Sequence, residues 1–143
     1  MTNKIKEAVA TKLFSNFPNY TNYTNKVPQG FKEPCFFIST LQPNETRVLS
    51  GRYFKKTPLV IQCFPGGDNK IDTLTDVAEI LYTELEFIEI ENKKIMGTKL
   101  NYQIIDDVLH FFVNYNFHVY RVPINPEETD FMEVLNLEIK VVD

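Results

Sequence analysis

Two histidines, two cysteines, the adjacent carboxylates Asp106 and Asp107 and one glycine-rich loop are the first candidates for chemistry in this chain. His110 and His118 share one face of a strand-like run, eight residues apart. At roughly 3.3 Å per residue that is about 26 Å, too far for both to ligate one metal. Cys35 and Cys63 sit in apolar runs, away from any helix start or evident cation that would lower a thiol pKa. A Cys-His nucleophile would need one of them beside a histidine with a third group to orient it. Asp106 and Asp107 read as a solvated turn, because general acid–base work needs carboxylates that converge in a cleft. "FPGGDNK" lacks the spacing and the Lys-hydroxyl pair of a phosphate loop, and reads as a tight connection. Arg52, Tyr53, Phe54, Lys55 and Lys56 interleave cations with rings, a composition that suits single-stranded nucleic acid. The chain's pI of about 5.2 argues against a dedicated nucleic-acid binder.

The elements that must position these groups are legible in the periodicity. Ile5, Ala8, Val9, Lys12 and Leu13 at helical spacing predict an amphipathic helix over residues 4–16, ended by Pro18. A polar loop follows, with a short edge strand expected around Tyr23 to Val27. "CFFISTL" reads as a strand, with Pro34 just ahead of it where a missing N–H costs least. "TRVLSGRYFKK" passes through a Ser-Gly turn, and "TPLVIQCF" is a further strand. Residues 72–88 place Leu74, Val77, Ala78, Leu81 and Leu85 on one helical stripe. Asp72 or Thr73 is the expected cap, with Asp76 in the positive first turn. A hairpin follows, "TKLNYQII" and "VLHFFVNYNFHVYRV" flanking Asp106-Asp107. Its second arm alternates: Leu109, Phe111, Val113, Tyr115, Phe117 and Val119 point one way. His110, Phe112, Asn114, Asn116 and His118 point the other, to water or to a partner. "VPINPEETDF" reads as an acidic loop and "VLNLEIKVV" as a last strand.

This order predicts an α+β fold: a mainly antiparallel, mixed sheet with two main helices packed on it, in one domain spanning 1–143. The aromatic content, twelve Phe and seven Tyr with no Trp, favours strands. No run of about 18 apolar residues suggests a membrane span, and the N-terminal segment lacks the apolar centre of a signal peptide. The expected setting is therefore the cytosol, where two cysteines are small buried hydrophobes rather than a disulfide. Net charge is −4, but residues 1–56 carry +6 and residues 57–143 carry −10. Opposed faces of this kind can attract a neighbouring copy head-to-tail. With no catalytic constellation assembled, recognition by contact is the default reading.

The stretch "PQGFKEPCFFI", after an N-terminal helix, resembles a family of tail terminator proteins from phages and defective prophages of Gram-positive bacteria. The resemblance continues through "RYFKKTPLVIQCFP", "VAEILYTELEFI" and "IIDDVLHFFVNYNFHV", nearly the whole chain in the same order. It implies a non-enzymatic virion protein, assembled in the bacterial cytoplasm and then part of the virion tail. Such proteins form a ring, typically a hexamer, on the last ring of tail tube subunits, which stops polymerisation and offers a docking surface to the head–tail connector. The implied partners are copies of the chain, the tail tube protein and the connector proteins. No cofactor, membrane or specific nucleic acid is implied, although DNA passes through such a ring. In this setting Pro28 and Pro34 stiffen a loop in which Gly30 turns and Phe31 projects. Gln29, Gly30 and Phe31 are then expected at a subunit or tail contact, with Arg52, Lys55 and Lys56 as a charged flank. The competing expectation for Phe31 is that it folds back onto the sheet.

Three rival functions carry their own signatures. A head–tail joining or head-closure protein would form a ring but leave tube length alone. A small enzyme would display an activated thiolate at Cys35 or Cys63. A monomeric binding module would not self-associate.

Overall fold

The computed structural model describes residues 1–24 and 28–121. In chain order its elements are α1 (Thr2–Asn16), β1 (Thr21–Tyr23), β2 (Cys35–Thr40), β3 (Asn44–Leu49), β4 (Arg52–Phe64), α2 (Lys70–Glu84), β5 (Phe87–Ile90), β6 (Lys93–Ile105) and β7 (Val108–Tyr120). The strands form one sheet in the order β1-β2-β4-β7-β6-β5, with β3 paired to β4 beside β2. Only the β1–β2 pair is parallel among the described strands, so the α+β fold has a mixed, mainly antiparallel sheet. The acidic loop expected over 122–131 and the strand expected over 134–142 lie outside the described residues, as does the 25–27 part of the expected edge strand.

The alternation read in β7 is realised in full. Leu109, Phe111, Val113, Tyr115, Phe117 and Val119 are all buried, and each intervening side chain is half-exposed. Directly opposite on β4, Ile61 meets Phe111, Leu59 meets Val113 and Thr57 meets Tyr115. Both helices cover this face. α1 contributes Ile5, Val9 and Leu13; α2 contributes Leu74, Val77, Ala78 and Leu81. They meet the strand residues in a common apolar core, which is where burial supplies most of the driving force. The other face of the sheet, bearing Phe54, Lys56, Gln62, His110, Phe112, Asn114 and His118, has no helix on it among the described residues.

Several boundaries differ from the sequence reading, each for a local reason. α2 begins at Lys70, with Asn69 in the left-handed conformation (φ 55) at the N-cap position, rather than Asp72 or Thr73, and without a side-chain capping bond. Asp72 therefore takes the first turn, and Asp76 lies beyond it. The helix ends at Glu84, not 88, because the Gly97 amide of β6 captures the Glu86 carbonyl at 2.6 Å. Phe87–Ile90 then forms a strand that turns tightly into β6 through Glu91 and Asn92, both at positive φ. β6 consequently starts at Lys93 rather than Thr98. It bulges at Lys99 (φ 55), between Thr98 and Asn101.

β4 runs unbroken through Pro58. The Leu41 amide donates to the Pro58 carbonyl, 2.9 Å away. N–H and C=O of one strand residue point to the same side, so the donor that Pro58 lacks faces the gap between the end of β2 and the start of β3. A proline is tolerated there because no ladder bond is lost.

Candidate functional site

The residues singled out for an interface fall into two groups, and β4 holds them apart. Arg52, Lys55 and Lys56 lie at its first end, beside β3. Phe64, its last residue, receives Phe31. Twelve steps of roughly 3.3 Å separate Arg52 from Phe64, about 40 Å along the strand.

At the far end, residues 28–34 fold over the uncovered face of β2. Phe31 sits edge-on to Phe37 at 5.4 Å and tilts against Phe64 at 4.8 Å. Tyr23 stacks on Phe37 at 4.9 Å, and its hydroxyl accepts the Lys32 amide at 3.3 Å. Rings in these geometries attract beyond their simple burial. Phe31 thus contributes to a half-buried aromatic cluster and keeps one side open. Gln29 and Gly30 are fully outside it, and Gly30 (φ 68) has open space where a side chain would be. The peptide between Glu33 and Pro34 is cis.

At the near end, the β3–β4 hairpin concentrates positive charge. The Arg121 guanidinium forks onto Glu45, with contacts of 2.8 and 2.5 Å, and lies 4.4 Å over the Tyr53 ring. Arg121 holds the Glu45 carboxyl below its usual range, and Lys55 approaches it at 3.8 Å. The opposite face carries Arg52, which reaches the His118 ring at 3.3 Å, and Lys56, 5.9 Å from the centre of the Phe54 ring. Burial, then the neighbouring Arg52 charge, pushes the His118 pKa down. β4 and β7 carry no carboxylate between them, in a chain that holds 19.

The other chemically capable groups stay separate. Cys35 and Cys63 are free and fully buried. Burial raises their thiols to about 11 and about 12. Cys63 pairs across the ladder with Phe36 on the helix-covered face, whereas His110 lies beside Gln62 on the other. Cys35 shares the His110 face but sits on β2, two strands from β7, roughly 10 Å of inter-strand spacing. His110 and His118 lie on one face of one strand at the separation their numbering gives. Asp106 (φ 51) and Asp107 (φ 62) form the two-residue turn between Ile105 and Val108, and both are exposed. Positive φ at both positions is what a twist-matched hairpin turn requires.

One feature escaped the sequence reading. Asp68, Asp72, Asp76 and Glu79 gather on and just ahead of the outer face of α2. α2 starts six residues after Phe64 and runs back until the Leu85 carbonyl meets Tyr115, which lies opposite Thr57, so the acidic stripe extends from the Phe64 end of β4 toward its middle. The half-to-half charge imbalance was visible in the sequence; its concentration on the β3–β4 hairpin and on the outer face of α2 needed the structure. No described helix is long and apolar enough to cross a membrane.

A family model described as phage tail terminator protein matches residues 4–127. No curated protein matches the chain.

Proposed function

Because the chain belongs to the phage tail terminator family, a family of structural proteins of the phage tail, we propose that it caps the tail tube as a ring, ends tube polymerisation and forms the head-proximal docking surface. The observation that carries this reading is the family match across both helices and all seven described strands. The geometry supports it in two ways. A basic β3–β4 hairpin and an acidic outer stripe on α2 suit heterologous contacts whose rotation closes into a ring. A surface loop pinned by a four-ring cluster loses little entropy when Gln29, Gly30 and the open side of Phe31 meet a neighbour or a tail partner. In this reading the protein assembles in the bacterial cytoplasm and ends up in the virion tail. It turns over no substrate. Arg52, Lys55 and Lys56 belong to the charged contact.

The test is to add the purified protein to polymerising tail tube subunits and measure tube lengths by electron microscopy. Substoichiometric protein is expected to shorten the tubes and to appear at one end only. Unchanged lengths with no end-bound density would overturn the reading. A Phe31→Ala variant is expected to cap poorly at a concentration where the parent caps fully. Normal capping by a folded variant would remove Phe31 from the contact.

A further inference from the structure

The helix-free face of the sheet lacks two things among the described residues: negative charge and hydrogen-bond donors. β2, β4, β7 and the Thr98–Ile105 part of β6 contain no carboxylate. Arg52, Lys56 and Lys99 stand on this face, and none forms an ion pair with a carboxylate among the described residues. A groove of about 400 Å³ crosses the middle of the face, with Pro58, Lys99, Asn101, Gln103, Phe112 and Asn114 in its lining. The Oδ1 atoms of Asn114 and Asn116 are shielded from water and accept no hydrogen bond. Buried acceptors are ordinarily satisfied, so a donor from elsewhere is called for.

The chain itself carries the missing chemistry. Residues 122–143 hold six carboxylates and one lysine, a net −5, and Leu135, Leu137, Ile139 and Val141 alternate there with polar residues. Tyr120 pairs with Arg52, and the Arg121 amide donates to the Gly51 carbonyl at 2.8 Å. The chain therefore leaves along β7 and off the end of the sheet, rather than back over its own face. Twenty-two extended residues reach up to about 70 Å, more than the roughly 40 Å length of β4. We propose that residues 122–143 of one copy lie in the groove on the helix-free face of the next. Their carboxylates meet Lys56 and Lys99, their main-chain N–H groups reach the Asn114 and Asn116 oxygens, and their apolar side chains cover Pro58 and Phe112. The segment and the groove are different surfaces, so each copy uses one of each and the contact repeats head-to-tail. The pairing rests on the ring reading above and names the partner of its charged contact.

Isotope-mixed crosslinking tests it on the full chain. Light and heavy-isotope protein are mixed in equal amounts with tail tube subunits, joined by a zero-length carbodiimide and mapped by mass spectrometry. Lys56 and Lys99 are expected to join carboxylates between Glu127 and Glu138, with light–heavy pairs as common as same-isotope pairs. Lys12, on α1 across the sheet, is expected to join none of them. Sedimentation velocity at low salt, with and without tube subunits, reads the association itself. Lys56→Glu/Lys99→Glu and Glu127→Lys/Glu128→Lys are each expected to associate at least about tenfold more weakly than the parent, since like charges then oppose. Lys56 and Lys99 are exposed, and circular dichroism confirms folding. An equimolar mixture of the two variants is expected to recover association by alternating around the ring. Same-isotope pairs alone would put the segment on its own chain and overturn the joint. Association without these crosslinks, or unchanged by the reversals, also overturns it while the ring reading stands. A parent that stays monomeric in both conditions overturns both.

Discussion

The hydroxyl of Tyr115 donates a hydrogen bond to the main-chain carbonyl of Leu85 at 2.7 Å, deep in the core. Leu85 is the C-cap of α2, where a carbonyl has no partner within the helix. A strand side chain thus satisfies the helix end, and burial pushes the Tyr115 phenol pKa far upward, which keeps the donor in place. Tyr115→Phe is expected to lower unfolding free energy by about 1–2 kcal/mol, because the buried carbonyl is left unpaired. Urea denaturation checks this; an unchanged midpoint would mean that water reaches the helix end.

Gly97 lies against the same helix end. A Cβ there would come within 2.7 Å of the Leu85 carbonyl oxygen and 2.8 Å of a Val113 methyl. The backbone oxygen cannot swing away, so Gly97→Ala is expected to cost about 1–3 kcal/mol through overpacking. The same denaturation series measures it. Combined with Tyr115→Phe the losses are expected to be non-additive, since both act on one contact.

The cysteines are expected to be inert. With thiols at about 11 and about 12, the thiolate fraction at neutral pH is negligible. A thiol-reactive probe at pH 7.5 should label neither in the native protein and both in denaturant. Their pKa values are raised above the unfolded value, so the native protein keeps its protons where the unfolded chain loses them. Stability therefore falls as pH rises through the ordinary thiol range toward these native values. Rapid labelling of either residue in the folded protein would contradict the burial described.

His118 is expected to titrate below an ordinary histidine. Burial and the Arg52 charge both disfavour its proton, so the native state binds a proton less readily than the unfolded chain. Stability from this residue is complete above about pH 6.5 and declines as pH falls from there toward the native value. Following the imidazole proton by NMR checks the direction. Arg52→Gln should move the titration upward, leaving the part due to burial.

Side-chain periodicity made the core legible. The stripe from Leu74 to Leu85 and the six inward residues of β7 were readable because each repeats for several turns or pleats. The Asp106-Asp107 turn was readable because two polar residues separate long apolar arms. β5 was not. Leu85 and Ile88 continue a helical three-residue spacing, and only the Gly97 amide, eleven residues away in sequence, decides that the helix stops first. The Tyr115 bond to Leu85 was invisible for the same reason. At the candidate site, the residue types of the loop and the hairpin were readable. Their placement at opposite ends of β4 was not, since "RYFKK" and "TPLVIQCF" read as separate strands where one strand runs through both.

Pro58 also leaves its mark on the stretch between Thr40 and Arg52. Pro58 cannot donate across the interval, so β3 is held by its ladder to β4 and by the Arg121 fork onto Glu45, and every one of its residues is exposed. That excursion can lengthen, shorten or change composition without disturbing a single core residue. The molecule therefore has an adjustable arm on an invariant chassis, and its reach can be retuned to a new neighbour while the chassis keeps its stability.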